Sequence, residues 1–398
     1  MAVMAKVMQW PELVSDVLPM ALWSSAEIAE ATGGTASADF LCSGVATDSR
    51  EVGEGTLFVA LKGESMDGHR FVAQAFERGA SAVLVDRPVD GPHVLVADTF
   101  AALQALAAHA RARGEAKVVG VTGSVGKTGV KEAIWSALDR ASRGAAHRSL
   151  KSYNNHVGVP LSLARMPARS AYGVFELGMN HAGEIATLAP QVRPHVAVIT
   201  AIAPAHIENL GSMEAIAEAK AEIFAGLEPG GTAIIPADSP HCGQLRAVAE
   251  RLGVAVVSFG LAREADVRLL DAVAAPGGGS LVTAEMRGAD GSTRRLCYTV
   301  ASPGEHWVAN SLAVMAAVRA MGADLGAAGL ALAEMEGLAG RGARTSIPAG
   351  DGAALVIDES YNANPASMRA TLASLARTPA RRRIAVLGSM KELGDFAP

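Results

Sequence analysis

Short apolar runs alternate with amphipathic stretches from about residue 21 to residue 112. The strand-like runs are 56–61, 81–85 and 93–98, and the helix-like runs are 71–80 and 99–114. This alternation of periods predicts a first α/β domain over 21–112. Residues 1–20 show no such pattern, and we interpret them as a loose extension.

A second α/β domain is predicted over residues 113–338. It opens with an apolar strand, a glycine-rich turn and a helix, and further apolar runs follow at 172–178, 195–202, 231–238 and 255–260. Helical stretches separate these runs, which is typical of a parallel, doubly wound sheet. Asp290-Gly291 is a hairpin turn signal between two alternating runs, so the pattern near 268–300 predicts an antiparallel addition.

Two apolar runs near the end of the chain predict a third α/β domain over residues 339–398. The runs 354–359 and 382–388 are typical of buried strands. Two strands do not bury a sheet on both faces. We therefore expect this domain to be incomplete within the chain.

Composition narrows the class of protein. The chain has 398 residues, of which 50% are hydrophobic and 19% charged, and this excludes a disordered or fibrous chain. A net charge of −5 gives no basic excess for binding nucleic acid or an acidic membrane. No apolar run is long enough to span a membrane, and residues 1–17 lack a signal-peptide pattern. Three widely spaced cysteines favour a reducing, cytoplasmic compartment.

The strongest chemical signal is a glycine-rich turn between a predicted strand and a predicted helix. It reads Thr122-Gly123-Ser124-Val125-Gly126-Lys127-Thr128. Such a turn lets backbone N–H groups surround a phosphate, and the helix N-terminus adds its positive end. Lys127 is placed to contact the β and γ phosphates, and the Thr128 hydroxyl to bind Mg²⁺. A plain strand–turn–helix connection is the alternative, since the loop is shorter than the usual eight-residue pattern.

Polar residues end two of the predicted apolar strands. Glu176 ends the run YGVFE, and His206 follows the run HVAVITAI. A carboxylate in that place can be a helix cap or a surface charge, but ligands bind at this edge of open α/β sheets. Because Mg²⁺ prefers hard oxygen ligands shared with phosphates, Thr128 and Glu176 together predict a metal site. His206 taken alone is more typical of a structural histidine.

The shortened phosphate loop resembles that of the Mur ligases, the ATP-dependent amide-forming enzymes of peptidoglycan synthesis. Other segments similar to this family occur in family order: Asp48-Ser49-Arg50, LFVALKGE (57–64, with Lys62), Asp67-Gly68-His69, Tyr153-Asn154-Asn155, Gly158-Val159-Pro160-Leu161, ELGMNH (176–181), His206-Ile207-Glu208, AKAEIF (219–224) and SYNANP (360–365). The ELGMNH and SYNANP segments are similar to those of members that join D-alanyl-D-alanine to UDP-N-acetylmuramoyl-tripeptide. The resemblance covers about residues 21–394.

The resemblance implies a fold of three α/β domains and a reaction. The domains are an amino-terminal module for the UDP-substrate, a central P-loop ATPase-like domain and a Rossmann-like carboxy-terminal domain. ATP and two Mg²⁺ ions are the implied cofactors, with an acyl phosphate as intermediate and ADP and phosphate as products. We expect a monomer.

The resemblance also implies roles for single residues. The implied substrate residues are Asp48, Ser49, Arg50, Lys62, Asp67, Asn154, Asn155, Tyr361, Asn362 and Asn364. Beyond the phosphate loop, Asn310 is expected at the adenine, Arg341 near the phosphates and Asp358 near the ribose, although Glu359 aligns equally well there. Glu176 and His206 are implied metal ligands, with Asn180 and His181 near the metal and the acyl phosphate.

Lys220 has two interpretations. Taken plainly, it is a solvated lysine in a helical stretch that also holds Glu214, Glu218 and Glu222. The resemblance implies instead that CO₂ carbamylates Lys220, which converts the cation into a bridging metal ligand. A neutral amine has to attack CO₂, so burial would have to lower the pKa of Lys220.

Three positions depart from the family pattern. Val125 replaces an Asn of the loop, Gly129 replaces a second Thr, and Trp307 replaces the Asn of a His-Asn pair.

Asn310 could also be a simple exposed position on its helix. Two other functions stay open at this point: a related amide ligase similar to folylpolyglutamate synthetase, and an ATP-binding protein without ligase activity.

Overall fold

The computed structural model describes residues 21–63, 66–275, 278–288, 290–335, 337–350 and 352–390. The chain divides into two compact units, Met1–Thr99 and Phe100–Pro398. The domain boundaries expected at residues 112 and 338 stay predictions. The extension expected over 1–20 lies outside the described residues.

The first unit is a small α/β fold with a five-stranded sheet and a separate two-stranded sheet. Its strands are β1 (Trp23–Ser24), β2 (Thr35–Ala36), β3 (Leu41–Cys42), β4 (Gly44–Ala46), β5 (Thr56–Val59), β6 (Ala80–Val85) and β7 (His93–Leu95). Its helices are α1 (Ser25–Thr32) and α2 (Val72–Glu77), with 3-10 turns at Ser49–Glu51 and Gly68–Phe71. Strands β4, β5, β6 and β7 are parallel neighbours, and β2 pairs antiparallel with β7 at the edge. The interior strand β5 is buried along its whole length, as parallel strands covered on both faces are.

The second unit contains the remaining elements. The helices are α3 (Thr99–Ala112, which starts at the last residue of the first unit), α4 (Lys127–Ala141), α5 (Gly158–Ala164), α6 (Glu184–Val192), α7 (Ile207–Leu210), α8 (Met213–Ala221), α9 (Cys242–Arg251), α10 (Glu305–Ala320), α11 (Leu325–Glu334) and α12 (Pro365–Arg377). The strands are β8 (Lys117–Thr122), β9 (Ala146–Arg148), β10 (Tyr172–Glu176), β11 (Val196–Ile199), β12 (Thr232–Pro236), β13 (Ala255–Gly260), β14 (Val267–Ala274), β15 (Ser280–Arg287), β16 (Thr293–Val300), β17 (Ala343–Ala349) and β18 (Gly352–Asp358). A 3-10 turn covers Glu222–Gly226.

A nine-stranded sheet forms the centre of this unit, in the order β16-β15-β14-β13-β12-β11-β8-β10-β9. The strands from β9 to β14 run parallel, and β15 and β16 add to them antiparallel. The predicted parallel sheet and the predicted antiparallel addition are both confirmed. Helices α4, α10 and α11 contribute to the apolar core on one face, and α6, α8 and α9 to the core on the other.

The parallel arrangement brings three strand ends to one edge of the sheet. Strand β8 lies between β10 and β11, with Glu176 opposite Val121 and Ile199 opposite Thr122. The residues that follow these strands therefore leave the sheet side by side. This edge carries the candidate site, as the general rule for open α/β sheets predicts.

The carboxy-terminal region differs from the expectation of two buried strands. The run 354–359 does form a strand, β18, but its partner is β17 in an antiparallel hairpin, and Leu355 is 48% exposed. The strand predicted over 382–388 is wrong: these residues have no regular secondary structure, and Val386 is 94% exposed. An apolar run becomes a buried strand only where another strand takes up its backbone hydrogen bonds and another layer covers it. Within residues 352–390 neither is provided for the run 382–388.

Among the helices of the described residues, none is both long enough and apolar enough to cross a membrane. The three cysteines, Cys42, Cys242 and Cys297, are free thiols.

Candidate active site

The glycine-rich turn leaves β8 and enters α4 directly. Gly123 and Gly126 have φ angles of +146° and +83°, which side chains disfavour. A Cβ on Gly123 would also collide with Oγ1 of Thr200 at the end of β11. Both glycines are therefore required by the backbone path, which directs the loop around the N-terminus of α4. Such a terminus favours a bound anion.

Lys127 is the cation of this loop. Its Nζ donates to the carbonyl oxygen of Gly123 at 2.7 Å, so the side chain folds back over the loop. Burial lowers the pKa of Lys127, the charge of Glu176 opposes that shift, and nearby Arg341 adds to it. Lys127, Glu176 and Arg341 therefore lie within electrostatic range of one another.

Thr128 in the first turn of α4 and Glu176 at the end of β10 form a buried pair. The Thr128 hydroxyl donates to Glu176 Oε2 at 2.8 Å, and Asn154 Nδ2 donates to Glu176 Oε1 at 2.7 Å. Glu176 is buried, with 1% of its surface exposed. The two hydrogen bonds fix both of its carboxylate oxygens. A hydroxyl and a carboxylate at the phosphate-binding edge are the hard oxygen donors that Mg²⁺ takes beside phosphates.

This donor set fits a metal that completes its coordination with a nucleotide. Within the described residues, no group of three or more His, Cys, Asp or Glu side chains could hold a metal ion by itself. Mg²⁺ characteristically takes only one or two protein ligands together with phosphates and water. The residues present therefore fit a Mg²⁺–nucleotide complex better than a metal site made by protein alone.

Lys220 is buried on α8. It is 2% exposed, and burial together with the nearby charge of Lys127 lowers its pKa well below the usual value. The interpretation of Lys220 as a solvated lysine is therefore wrong. Helix α8 therefore places a buried lysine with a lowered pKa within electrostatic range of the phosphate loop.

A cavity of about 980 Å³ opens beside the loop. Ser124, Lys127 and His206 line one part of it, and residues of the carboxy-terminal region line the rest. His206 has a φ of +58° at the start of α7. The predicted residues among the carboxy-terminal lining are Asp358, Tyr361, Asn362 and Asn364.

Arg341 connects the loop after β9 to the carboxy-terminal region. Its guanidinium lies 4.2 Å from the centroid of the Tyr361 ring, and its Nη2 donates to Ser152 Oγ at 3.4 Å. Ser152 Oγ lies 3.4 Å from Thr128 Oγ1. Arg341 is thus held next to the threonine of the phosphate loop.

Two neighbouring carboxyl groups, those of Asp358 and Glu359, lie at the end of β18 and directly after it. Asp358 accepts hydrogen bonds from the Ser360 hydroxyl at 2.6 Å and from the backbone N–H of Gly340 at 3.0 Å, and these bonds, the first above all, lower its pKa. Burial and the neighbouring charge of Asp358 raise the pKa of Glu359. Asp358 therefore shapes the turn at the cavity, and both carboxyl groups line it.

Asn310 lies against the phosphate loop rather than on an open surface. It belongs to α10, and a Cβ on Gly126 would lie 3.1 Å from its side-chain amide. The backbone of the loop can approach Asn310 this closely because residue 126 has no side chain. Asn310 is therefore placed beside the nucleotide-binding turn.

In the first unit, the two predicted substrate motifs form tight turns. Asp48 caps the turn Ser49–Glu51 and pairs with Arg50 (Oδ2 to Nη2 2.6 Å), and Ser49 Oγ donates to the side chain of Gln74 at 2.7 Å. Asp67 accepts from Arg87 Nη2 at 2.7 Å and pairs with the buried His69 ring at 2.7 Å, and it forms a backbone bridge with Lys62. The hydrogen bond from Arg87 is the main reason why the pKa of Asp67 lies far below its usual value.

Comparison with known proteins gives the same family along the chain. Residues 42–118 match the description "Mur ligase family, catalytic domain", residues 121–318 "Mur ligase middle domain" and residues 343–397 "Mur ligase, glutamate ligase domain". A curated relative from Synechocystis sp., named UDP-N-acetylmuramoyl-tripeptide--D-alanyl-D-alanine ligase, is 38% identical over 370 residues, which are 91% of this chain and 76% of the relative. The chain belongs to the Mur ligase family.

Solved structures of Mur ligases have the same fold. MurF from Acinetobacter baumannii is similar with a TM-score of 0.79 at 34% identity, over 94% of this chain and 80% of the other. MurF ligase from Thermotoga maritima, in complex with ADP, is similar with a TM-score of 0.71 at 29% identity, over 88% of this chain and 78% of the other. The α/β architecture expected from the resemblance is thereby confirmed.

Two predicted residues of this Mur ligase lie away from the cavity lining. The backbone N–H of Asn180 donates to Glu184 Oε2 at 2.8 Å, and the exposed His181 ring pairs with Glu184 Oε1 at 3.1 Å. Glu184 is the first residue of α6. In this structure both residues therefore help to form the start of a helix, and neither lines the cavity.

The Asn155 side chain of the Mur ligase binds the backbone at the start of α5. Its Oδ1 accepts from the backbone N–H groups of Val157 at 3.2 Å and Gly158 at 2.8 Å, at the start of α5. The neighbouring Asn154 is the one of the two whose side chain contacts Glu176. The structure therefore separates two adjacent asparagines that the sequence motif treats alike.

Thr200 belongs to the site, although no sequence motif singled it out. Its hydroxyl donates to the carbonyl oxygen of Val125 at 2.5 Å, and Ser124 Oγ donates to the carbonyl oxygen of Ala203 at 2.8 Å. These bonds tie the phosphate loop of the Mur ligase to the segment that leads from β11 to His206. The signal that pointed to Glu176, a polar residue at the end of an apolar strand, also applies to Thr200.

Proposed function

We propose that this chain is an ATP-dependent ligase that joins D-alanyl-D-alanine to UDP-N-acetylmuramoyl-tripeptide in peptidoglycan precursor synthesis. The observation that carries the proposal is the buried Thr128–Glu176 pair beside Lys127, in a chain that is 38% identical to a relative of that name. A cytoplasmic monomer is part of the proposal, and the free cysteines are compatible with that compartment.

ATP is held mainly by the phosphate loop. The N-terminus of α4 directs N–H groups toward the phosphates, and Lys127 exchanges the Gly123 carbonyl for a phosphate oxygen. We assign the remaining loop residues Thr122, Gly123, Ser124, Val125 and Gly126 to the wall around the phosphates. Asn310 beside Gly126 is assigned to the adenine, Arg341 to the phosphates and Asp358 to the ribose.

Thr128 and Glu176 hold one Mg²⁺ in this proposal, and His206 and a carbamylated Lys220 hold a second. Bound Mg²⁺ neutralises charge on the phosphates as the γ-phosphoryl group moves. The lowered pKa of Lys220 supports the carbamate, because only the neutral amine attacks CO₂. A C–N bond then forms, one proton leaves the amine, and the side chain ends in a carboxylate.

The reaction takes place in two transfers. The terminal carboxylate of the tripeptide attacks the γ-phosphorus of ATP, which gives an acyl phosphate and ADP. The amine of D-alanyl-D-alanine attacks the acyl carbon, loses a proton, and phosphate leaves. The chain contributes fixed charges and alignment, which are the main sources of catalysis in phosphoryl transfer.

The substrates are assigned to two regions of the sequence. Asp48, Ser49, Arg50, Lys62 and Asp67 in the first unit are assigned to the UDP-substrate, and the closed turns that they form support a preformed site. The residues assigned to the peptide substrates and the acyl phosphate are Asn154, Asn155, Asn180, His181, Tyr361, Asn362 and Asn364. Of these, Tyr361, Asn362 and Asn364 line the same cavity as Lys127.

Phosphate release tests this proposal. The purified chain is given ATP, Mg²⁺ and each combination of a UDP-muramoyl peptide with an amine. We expect phosphate release only with the UDP-muramoyl tripeptide and D-alanyl-D-alanine together. Release with a folate and glutamate would replace the proposal by a folylpolyglutamate-synthetase-like activity. ATP binding without release in any combination would replace it by a nucleotide-binding role.

A further inference from the structure

Lys131 is a buried cation whose role the proposed mechanism does not explain. It lies on α4, one helical turn after Lys127, and is 0% exposed. Its Nζ donates to the carbonyl oxygens of Ser149 at 2.7 Å and Lys151 at 2.9 Å, and it pairs with Glu132 Oε1 at 2.9 Å. A buried charge is tolerated only with such partners. The three donors of the ammonium match these three acceptors.

The two carbonyls belong to a loop whose side chains contact the proposed metal ligands Thr128 and Glu176. Ser149 Oγ accepts from the backbone N–H of Glu176 at 3.2 Å, and Asn154 Nδ2 donates to Glu176 Oε1 at 2.7 Å. Ser152 Oγ, in the same loop, lies 3.4 Å from Thr128 Oγ1. The backbone that Lys131 binds is therefore continuous with the groups that orient Glu176 and Thr128.

The neighbouring strand is attached to the same helix. Glu132 Oε2 pairs with Arg148 Nε at 3.0 Å, and the Arg148 guanidinium lies 3.2 Å from the centroid of the Trp135 ring. Trp135 Nε1 donates to the carbonyl oxygen of Ala146 at 3.0 Å. The side chains of Lys131, Glu132 and Trp135 therefore attach β9 and the loop after it to helix α4. Of these three contacts, that of Lys131 is nearest to the site.

We propose that Lys131 is a positioning residue that sets the affinity of the site for Mg²⁺. It holds the 149–154 backbone so that Ser149 and Asn154 keep the Glu176 carboxylate in the orientation that binds the metal. The inference rests on the proposed function, in which Thr128 and Glu176 hold Mg²⁺ with the nucleotide. Arginine is not equivalent here, because its planar fork does not fit acceptors arranged around a compact ammonium.

The test separates nucleotide binding from metal binding. ADP affinity of the full chain is measured by calorimetry with EDTA and with Mg²⁺, and the ratio of the two gives the gain due to the metal. We expect Lys131→Met to keep the affinity measured in EDTA and to lose about 10- to 100-fold of the gain due to Mg²⁺, the usual effect of removing a partner of a metal ligand. Loss of affinity in EDTA as well would mean that Lys131 is merely structural and would overturn the inference.

Lys117→Met is the matched control. Lys117 also donates from Nζ to a backbone carbonyl, that of Met321 at 3.4 Å, but it lies at the start of β8, at the far end of that strand from the site. The control should keep both affinities. A loss of the Mg²⁺ gain in Lys117→Met equal to that in Lys131→Met would overturn the inference.

A second variant keeps the test valid if Lys131→Met does not fold. Ser149→Ala leaves the ammonium contacts in place and removes the bond to the Glu176 backbone, so it should also reduce the gain due to Mg²⁺. An unchanged gain in Ser149→Ala would overturn the inference. Where Lys131→Met folds, it is combined with Asn154→Ala. The double variant should lose less of the Mg²⁺ gain than the sum of the two single losses, and full additivity would contradict the inference that both residues act through Glu176.

Failure of the proposed function gives a different result. A wild-type chain whose ADP affinity does not respond to Mg²⁺ would remove the basis of the proposed metal site. A wild-type chain with a clear Mg²⁺ gain that Lys131→Met retains in full would contradict only the role of Lys131.

Discussion

The indole ring of Trp307 in α10 occupies the space that a side chain at Gly129 in α4 would need. A Cβ built on Gly129 would lie 2.7 Å from Cη2 of Trp307, closer than carbon atoms can pack. Trp307 packs against the core formed by α4, α10 and α11. The resemblance to the Mur ligases implies Thr at position 129 and Asn at position 307. The two departures therefore compensate each other, since the larger side chain on one helix fits only with the smallest residue on the other.

This compensation predicts non-additive stabilities. Gly129→Thr should destabilise the protein by about 1–3 kcal/mol because it overpacks the contact with Trp307. Trp307→Asn should also destabilise it, since it removes buried apolar area. The double variant should be less destabilised than the sum of the two changes. Urea denaturation gives the three values, and simple additivity would show that the two residues do not share this space.

Lys127→Ala should abolish turnover. The lysine folds over the phosphate loop, and its loss leaves the β and γ phosphates without a fixed cation. The measurement is kcat for phosphate release, with Lys117→Ala as the matched control. Retention of more than about a tenth of the wild-type kcat, a barrier change below about 1.4 kcal/mol, would contradict this role of Lys127.

Lys220→Ala should be nearly inactive, and short carboxylic acids should restore part of the rate. The physical reason is that an added carboxylate can take the place of the carbamate at the metals. Added acid should have no such effect on Lys127→Ala, which makes that variant the control. If the acids do not restore Lys220→Ala, or restore both variants equally, the carbamate proposal fails.

Asp67→Asn should lower stability in a pH-dependent way. The folded-state pKa of Asp67 is depressed, first by the hydrogen bond from Arg87, so its contribution to stability is present above the unfolded pKa of about 3.9. That contribution is lost as the pH falls through the folded-state pKa. Thermal unfolding midpoints of wild type and Asp67→Asn should therefore differ at pH 7, and the difference should shrink progressively as the pH falls below about 4 towards the folded-state pKa.

The exposed Asp39 provides the control for that measurement. Asp39→Asn should leave the midpoint nearly unchanged across the same pH range, because surface substitutions have small effects. A constant difference between Asp67→Asn and wild type at every pH would mean that the charge of Asp67 does not stabilise the fold.

The amino-acid sequence by itself determined the parallel sheet and the phosphate loop. Continuous apolar runs such as β8, β10 and β11 are typical of a sheet covered on both faces, and glycines at 123 and 126 allow the positive φ angles that the tight turn into α4 requires. These are local properties of pattern and backbone freedom. Glu176 could be placed at the ligand edge for the same reason, because it ends a strand of that sheet.

Only the tertiary structure decided which polar residues face each other. Lys220 has the helical surroundings of a solvated lysine in sequence, yet the packing of α8 buries it and lowers its pKa. Asn154 and Asn155 are adjacent in the motif, but only the path of the loop directs one to Glu176 and the other to α5. The run 382–388 is apolar enough for a strand, but strand formation depends on a partner strand elsewhere in the fold. Burial and pairing are set by distant parts of the chain, and for that reason local pattern does not determine them.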